Sequence, residues 1–252
     1  MRVFKGFDNL PSFDGAVVTL GSFDGMHKGH LSLLDAVRTT VREQGGESVV
    51  LTFEPHPRVV LGRAEGLRLL NSMEEKVMLL ESFGIDNLVI IKFDRDFSRI
   101  AYDEFVKRFL VEKIGVKSLI VGYNHHFGRG DEGTHSDLAK LSEECGFTLQ
   151  RIEEWRNESG RSVSSTVLRQ MVTRGDMEGV TELLSRPYIV IGKVDGDGRI
   201  WVADSLKLIP PAGLYDVLMD GKESQVRIDE NAVMSCDKEC GRVVIEFVRK
   251  IE

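Results

Sequence analysis

Two histidines stand in a glycine-rich decapeptide whose residue types suit phosphate chemistry. The stretch Gly-Ser-Phe-Asp-Gly-Met-His-Lys-Gly-His occupies residues 21–30, between an apolar run and a segment of helical period. Gly21 and Gly25 allow the backbone to turn sharply near a ligand, and the helix that follows offers its N–H groups to an anion. His27 and His30 are spaced to share one face of the first turn. There, their imidazoles can donate hydrogen bonds to charge that develops on a transferred phosphoryl group.

Two other interpretations of this decapeptide stay open. A metal site would use His27 and His30, but no cysteine and no third ligand follows on the same helix. A histidine that only caps a core helix is the ordinary explanation of a lone histidine. The strand–loop–helix setting favours a phosphate site, and Gly29 leaves room for a bulky group to lie against the backbone.

A second candidate phosphate site is the run Val-Ser-Ser-Thr-Val-Leu-Arg at residues 163–169. Ser164 or Ser165 is expected to cap the helix that begins there. The same hydroxyls, with that of Thr166, also suit a polyphosphate, and Arg169 would add a bidentate phosphate contact. Two such motifs in one chain would occur by chance far more rarely than either motif alone.

A proline-bearing loop at residues 52–57, Thr-Phe-Glu-Pro-His-Pro, follows a predicted strand. Its two prolines are expected to hold the loop extended, so that Phe53 and His56, on either side of Pro55, are presented rigidly to a ligand. The alternative is a stiff loop whose polar residues have no role.

Another glycine-flanked loop, Gly-Tyr-Asn-His-His-Phe-Gly at residues 122–128, follows a later strand. Asn124 can hydrogen-bond a ligand without adding charge. His125 and His126 suggest a metal site only weakly, because adjacent residues point apart.

Strands and helices alternate strictly from residue 16 to residue 184. The predicted strands are 16–20, 48–53, 87–91, 118–122 and 148–152, and the predicted helices include 72–83, 102–113, 135–145, 164–174 and 178–184. In the first helix Leu31, Leu34, Val37 and Val41 recur at helical spacing. The alternation predicts an α/β fold, a Rossmann-like parallel sheet with right-handed crossovers. Ligands of such sheets bind beyond the carboxyl ends of the strands, where the polar loops described above are expected to converge.

The alternation of strands and helices ends near residue 186. Only strands are predicted after it, at 188–194, 213–218, 225–228 and 243–247. We therefore predict two domains, residues 1–185 and residues 186–252, the second a small all-β, barrel-like domain.

The composition limits the class of function. A net charge of −7 argues against nucleic acid as a partner, because a basic face supplies most of that affinity. The sequence has no apolar run long enough to cross a membrane and no secretory N-terminus. Its three cysteines do not form a disulfide framework, so a cytoplasmic location is expected.

The motifs together resemble those of a known family. Residues 21–30 are similar to the signature Gly-x-Phe-Asp-Gly-x-His-x-Gly-His of the bacterial FMN adenylyltransferases, the N-terminal half of bifunctional riboflavin kinase/FAD synthetases. Residues 163–169 resemble their second signature, Ile-Ser-Ser-Thr-x-x-Arg, with Val163 in place of Ile. With the loops 52–57 and 122–128, the resemblance extends over roughly residues 13–190.

The resemblance implies transfer of AMP from ATP to FMN, giving FAD and pyrophosphate, with Mg²⁺ accompanying ATP. It assigns catalytic roles to His27, His30, Asn124 and Arg169. It implies ATP contacts for Gly21, Phe23, Asp24, Gly25, Gly29, Ser164, Ser165 and Thr166, and FMN contacts for Phe53, Pro55, His56, Asn124 and Phe127. The small-molecule partners are thus ATP and FMN, while the oligomeric state stays open.

The second domain departs from the family. Residues 192–198 and 208–215 resemble two elements of its riboflavin kinase barrel, but the motif Pro-Thr-Ala-Asn is missing between them. We therefore expect a shortened domain without kinase activity. Neither Asp195-x-Asp197 nor Cys236-x-x-x-Cys240 completes a metal-binding pattern, so no protein-held metal is expected. Two alternatives remain for the whole chain: a sister nucleotidyltransferase with another phosphate acceptor, and a non-catalytic flavin- or nucleotide-binding protein.

Overall fold

The computed structural model describes residues 1–123, 133–237 and 240–251. The chain forms two compact units. The sheet unit comprises Met1–Phe23, Gly29–Glu65 and Leu80–Trp155, and the barrel unit comprises Asp24–Lys28, Gly66–Leu79 and Arg156–Glu252. The barrel unit thus includes two short segments from the N-terminal part of the chain. The division into domains 1–185 and 186–252 remains a prediction.

The sheet unit contains a six-stranded parallel sheet. Its strands are β1 Arg2–Lys5, β2 Val17–Leu20, β3 Ser48–Glu54, β4 Asn87–Lys92, β5 Ser118–Gly122 and β6 Thr148–Ile152. They lie in the order β1-β4-β3-β2-β5-β6, and every adjacent pair is parallel. The predicted Rossmann-like α/β fold is confirmed. Strands β3, β2 and β5 are neighbours, so their carboxyl ends lie side by side at one edge of the sheet.

Strand β1 was not predicted. It pairs with β4 at the edge of the sheet, with Arg2 opposite Asn87, and most of its side chains are exposed. An exposed edge strand has no apolar run to reveal it, because only its backbone pairing and one face contribute.

Apart from two short elements at residues 57–60 and 97–99, which were not predicted, the helices lie close to their predicted positions. They are α1 Lys28–Gln44, α2 Pro57–Val60, α3 Met73–Ser82, a 3₁₀ turn at Phe97–Arg99, α4 Tyr102–Glu104, α5 His135–Cys145, α6 Ser165–Arg174 and α7 Met177–Leu184. Helix α4 continues as a π-helix over Phe105–Ile114, whereas an ordinary helix was predicted. The buried residues Phe105, Phe109 and Ile114 in that stretch are spaced by four and five, as i→i+5 hydrogen bonding allows.

The buried face of α1 differs from the predicted one. Leu33, Leu34, Val37 and Thr40 are buried, whereas Leu31 and Val41 are only half-buried. The face is therefore rotated by about one residue from the predicted stripe. Polar Thr40 lies in it, which a search for apolar residues alone overlooks.

The barrel unit contains a closed six-stranded barrel, which confirms the predicted barrel-like domain. Its strands are β7 Tyr188–Val194, β8 Arg199–Trp201, β9 Gly213–Met219, β10 Lys222–Ile228, β11 Met234–Ser235 and β12 Gly241–Lys250, in the closed order β10-β11-β8-β7-β12-β9. Strands β8 and β11 were missed because two or three residues are too short to show alternation. Within the described residues, no helix combines the length and hydropathy that a membrane span requires.

The observed face of α1 can be tested by matched substitutions. We expect Leu33→Ala to lower the free energy of unfolding by about 2 to 4 kcal/mol, because it leaves a cavity in a packed core. Leu31→Ala should cost clearly less, since half-buried Leu31 leaves no closed cavity. Urea unfolding followed by circular dichroism measures both. Equal losses, or a larger loss for Leu31→Ala, would contradict this face.

Candidate functional site

The decapeptide loop before α1 adopts a strained conformation. Phe23 and Met26 have positive φ angles of 47° and 45°, although both are non-glycine residues with buried side chains. Between them, Gly25 has a φ of 92°, and a Cβ there would lie 2.7 Å from Cδ1 of Leu70. Glycine is therefore required at this position. Such strain persists only where the surroundings determine it, which is typical of functional loops.

The carboxylate of Asp24 determines the course of this loop. It is 2% exposed, and its Oδ1 accepts hydrogen bonds from the amides of Leu70 (2.8 Å) and Asn71 (3.1 Å). The other oxygen, Oδ2, accepts from Nη2 of Arg169. In return, Oδ1 of Asn71 accepts from the amide of Gly25 at 2.8 Å. Both carboxylate oxygens are thus used within the barrel unit.

The start of α6 is bound to the same residue. Oγ of Ser165 donates to the carbonyl of Asp24 at 2.8 Å, and Nε of Arg169 donates to the carbonyl of Arg68 at 2.6 Å. Asp24 and Arg169 are 145 positions apart in the sequence. The two motifs predicted as phosphate sites therefore meet at Asp24.

The other two hydroxyls of the second motif differ in their contacts. Ser164 caps α6, as predicted, because its Oγ accepts from the amide of Val167 at 3.3 Å. Thr166, in the first turn of α6, is exposed.

His27 lies in the barrel unit and is buried, with 7% of its surface exposed. Burial lowers the pKa of its imidazole to about 4, and the charge of Asp24 opposes this shift only in part. The ring is therefore neutral at pH 7. A neutral imidazole provides one directed N–H donor rather than a positive charge.

The remaining residues of the decapeptide belong to the sheet unit. The amide of Gly21 donates to the carbonyl of Leu51 in β3 at 3.1 Å, which extends the sheet by one residue. The rings of Phe23 and His30 have centroids 5.4 Å apart. Gly29 lies in the first turn of α1.

The loop at residues 52–57 is only partly as predicted. Pro57 does not continue an extended loop but begins α2, since proline is favoured at the first position of a helix. His56 caps this helix, and its Nδ1 accepts from the amide of Arg58 at 3.2 Å. The ring of Phe53 packs against Phe93, with centroids 5.5 Å apart. Contacts of Phe53, Pro55 and His56 with an acceptor stay predictions. Asn124 and Phe127 lie outside the described residues.

Sequence reasoning missed residues that hold the loop in place. Arg186 is half-buried, and its Nη2 donates to the carbonyl of Gly25 at 3.0 Å. Burial lowers the pKa of Arg186 to about 10, with Glu75 opposing. The predicted domain boundary at residue 186 gave no indication of this contact. The role of Asn71 could not be predicted from the sequence, because a single Asn in a loop before a helix is common.

Over the described part of the chain, no group of three or more His, Cys, Asp or Glu side chains could hold a metal ion. The barrel unit contains a cavity of about 540 Å³, lined among others by Arg68, Arg199 and Trp201. None of the predicted site residues lines this cavity.

The pair of Asp24 and Arg169 can be tested by stability. We expect Arg169→Met to lower the free energy of unfolding by about 3 to 5 kcal/mol, because it leaves a buried carboxylate without its partner. The double variant Asp24→Asn, Arg169→Met should recover part of this loss. Arg249→Met, which breaks the exposed pair with Asp216, should change stability little. If urea unfolding shows the same loss of unfolding free energy for Arg169→Met and Arg249→Met, the buried pair contributes no more to stability than the exposed one.

The burial of His27 predicts a pH dependence of stability. The unfolded chain takes up a proton near pH 6.5, but the folded protein does so only near pH 4. Stability due to neutral His27 is therefore complete above pH 6.5 and is lost as the pH falls toward 4, at up to about 1.4 kcal/mol per pH unit. Unfolding of the wild type and of His27→Gln should be compared from pH 7.5 to 4, because carboxylates titrate in both. Parallel curves would show that His27 titrates normally.

The fold of this chain is similar to that of a solved structure. A crystal structure titled "Macrolide-efflux Protein from Streptococcus pneumoniae" has a TM-score of 0.84 to this chain at 22% identity, covering 100% of this chain and 90% of that one. At that identity the likeness shows the fold alone.

Curated relatives are more informative. The bifunctional riboflavin kinase/FMN adenylyltransferase of Escherichia coli (strain K12) is 32% identical over 196 residues, which cover 77% of this chain and 62% of that protein. The protein of the same name from Listeria monocytogenes is 32% identical, with 80% of this chain and 67% of that protein covered. The chain thus spans about three fifths of the length of the first relatives it matches. The sequence profile of the family described as FAD synthetase matches residues 10–167. This match includes Asp24 and the start of α6, and the chain belongs to the FAD synthetase family.

Proposed function

We propose that this protein transfers the adenylyl group of ATP to the phosphate of FMN, giving FAD and pyrophosphate. The observation that carries the proposal is the meeting of the two phosphate-type motifs at Asp24, where Ser165 and Arg169 bind the loop that bears His27. A polyphosphate needs donors from more than one element, and this loop and the start of α6 supply them. Membership of the FAD synthetase family supports FMN as the acceptor.

The proposed reaction needs no enzyme nucleophile. A phosphate oxygen of FMN attacks the α-phosphorus of ATP in line and forms the new P–O bond. The bond from that phosphorus to the bridging oxygen breaks, and pyrophosphate leaves with the electron pair. Catalysis then consists of positioning the two substrates and stabilising the charge on the α-phosphate.

His27 and His30 are proposed to donate hydrogen bonds to the α-phosphate. Because burial keeps His27 neutral at pH 7, its contribution is a directed N–H group. It retains this form at any pH well above 4. Gly21, Phe23, Gly25 and Gly29 would let the backbone approach ATP. Asp24 supports ATP binding through the loop it holds, since both its oxygens are already used.

The start of α6 is proposed to hold the β- and γ-phosphates. Arg169 uses Nε and Nη2 within the protein, and its guanidinium has five N–H donors, so others remain for a phosphate. Ser164, Ser165 and Thr166 add hydroxyl and amide groups at the helix start.

FMN is proposed to contact Phe53, Pro55, His56, Asn124 and Phe127, with Asn124 orienting its phosphate. Mg²⁺ is proposed to enter with ATP, because polyphosphates bind it through their own oxygens together with water. Among the described residues, no group of three or more His, Cys, Asp or Glu side chains could hold this ion. We further propose that residues 1–185 carry this activity and that the barrel of residues 186–252 has no riboflavin kinase activity.

The reaction can be tested by incubating the protein with ATP and Mg²⁺ and with either FMN or riboflavin, and separating the flavins by chromatography. We expect FAD from FMN and no FMN from riboflavin. His27→Ala and His30→Ala should each reduce the turnover number by on the order of 10² or more, because each removes a donor to the transition state. His135→Ala, at an exposed position, is the matched control and should retain full activity.

Several results would contradict the proposal. Near-normal FAD formation by the double variant His27→Ala, His30→Ala, with an unchanged circular dichroism spectrum, would remove both residues from catalysis. Adenylylation of another phosphate acceptor instead of FMN would indicate a sister transferase. Binding of FMN and ATP without product would indicate a non-catalytic binding protein. Formation of FMN from riboflavin would show that the protein does have riboflavin kinase activity.

A further inference from the structure

A lysine and a glutamate form an ion pair in the interior of the barrel unit. Nζ of Lys207 lies 2.7 Å from Oε2 of Glu75, and both side chains are 0% exposed. Lys207 precedes β9 and Glu75 lies in the first turn of α3. Fully buried lysines are rare and need complete pairing.

The pairing of Lys207 is complete. Besides Glu75, its Nζ donates to the carbonyls of Leu70 (2.6 Å) and Ile189 (2.7 Å), so all three N–H groups are used. The ring of Tyr188 lies 4.3 Å from Nζ. Burial lowers the pKa of Lys207, and the charge of Glu75 opposes this.

Glu75 joins further segments to this pair. Its Oε1 accepts from the amide of Ile191 in β7 at 2.9 Å, and its Oε2 accepts from the amide of Ser72 at 2.9 Å. Ser72 and Glu75 form a capping box at the start of α3, but Glu75 also pairs with a lysine 132 positions away.

Leu70 connects the ion pair to the decapeptide loop. Its carbonyl accepts from Lys207, and its amide donates to the carboxylate of Asp24 at 2.8 Å. The next residue, Asn71, donates to the same carboxylate and accepts from the amide of Gly25 at 2.8 Å. The peptide group between Leu70 and Asn71 is thus bound by Lys207 at its carbonyl and by Asp24 at its amide, while the side chain of Asn71 accepts from the amide of Gly25.

We propose that Lys207 is a positioning residue for the ATP-binding loop. It fixes the carbonyl of Leu70, so that the amides of Leu70 and Asn71 hold Asp24, and with it the segment up to His27, in the conformation that binds the α-phosphate. This inference rests on the proposed function. A buried ion pair can often be replaced by apolar side chains without loss of stability. The two carbonyl contacts give this pair a direction that an apolar side chain lacks.

The test compares Lys207→Met with the double variant Glu75→Leu, Lys207→Met, which leaves no buried charge behind. Arg242→Met is the matched control, because Arg242 pairs with Glu74 on the same helix but at an exposed site. For each protein, kcat and KM of FAD formation are measured, and the imidazole of His27 is titrated by NMR. Circular dichroism shows whether each variant is folded.

We expect both Lys207 variants to lose on the order of tenfold or more in kcat, because a displaced loop misaligns the reacting groups. The KM for FMN should stay within about twofold of the wild type. The pKa of His27 should rise from about 4 toward its ordinary value of 6.5, since a released loop admits water. Arg242→Met should match the wild type in each measurement.

A folded double variant with wild-type kcat and wild-type His27 titration would overturn the proposal and leave Lys207 a stabilising residue only. If the wild type makes no FAD, the proposed function fails, but the His27 titration still decides the role of Lys207. If neither Lys207 variant folds, hydrogen exchange of the wild type decides. The amides of Gly25, Leu70 and Asn71 should then exchange as slowly as that of Ile191, and faster exchange would overturn the proposal.

Discussion

The buried carboxylate of Asp24 is the group on which the candidate site depends. Removing a carboxylate from water costs several kcal/mol unless its oxygens are fully hydrogen-bonded. Here the donors come from the dipeptide 70–71 and from Arg169 in α6. None of these donors is near Asp24 in sequence, so the loop can adopt its strained conformation only when all three segments have come together. This explains why Asp24–Lys28 and Gly66–Leu79 form one compact unit with the C-terminal part of the chain.

The electrostatics of the described loop favour direction over net charge. The charges of Asp24 and Arg169 compensate each other, and burial keeps His27 neutral at pH 7. Apart from Lys28, the loop would therefore act on a ligand through oriented N–H groups rather than through a strongly positive surface. Such donors are effective where charge develops during a reaction, because they need not reorganise at that moment. The proposed phosphate site would thus need no basic face, in keeping with a net charge of −7.

The sequence predicts those features whose signal is local. The parallel sheet, the barrel and the cap of Ser164 follow from alternation, turn residues and helix-start chemistry, and the structure confirms them. Features fixed by partners far away in the chain left no such signal. The face of α1 depends on what packs against it, so Thr40 is buried in place of Val41. The cap residue Glu75 gives no hint that a lysine 132 positions away shares it. In the candidate site, the two motifs could be recognised from their residue types, but the contact that joins them at Asp24 could not be predicted.

Two cations of the barrel unit bind the backbone of the candidate loop and of the dipeptide 70–71. Arg186 immediately precedes β7 and donates to the carbonyl of Gly25, and Lys207 precedes β9 and donates to that of Leu70. Lys207 is fully buried and Arg186 is half-buried, and an apolar substitution at either one leaves carbonyl groups without donors, which costs stability at each of them. The barrel unit therefore takes a direct part in holding the candidate loop, through Arg186 at Gly25 and through Lys207 at Leu70.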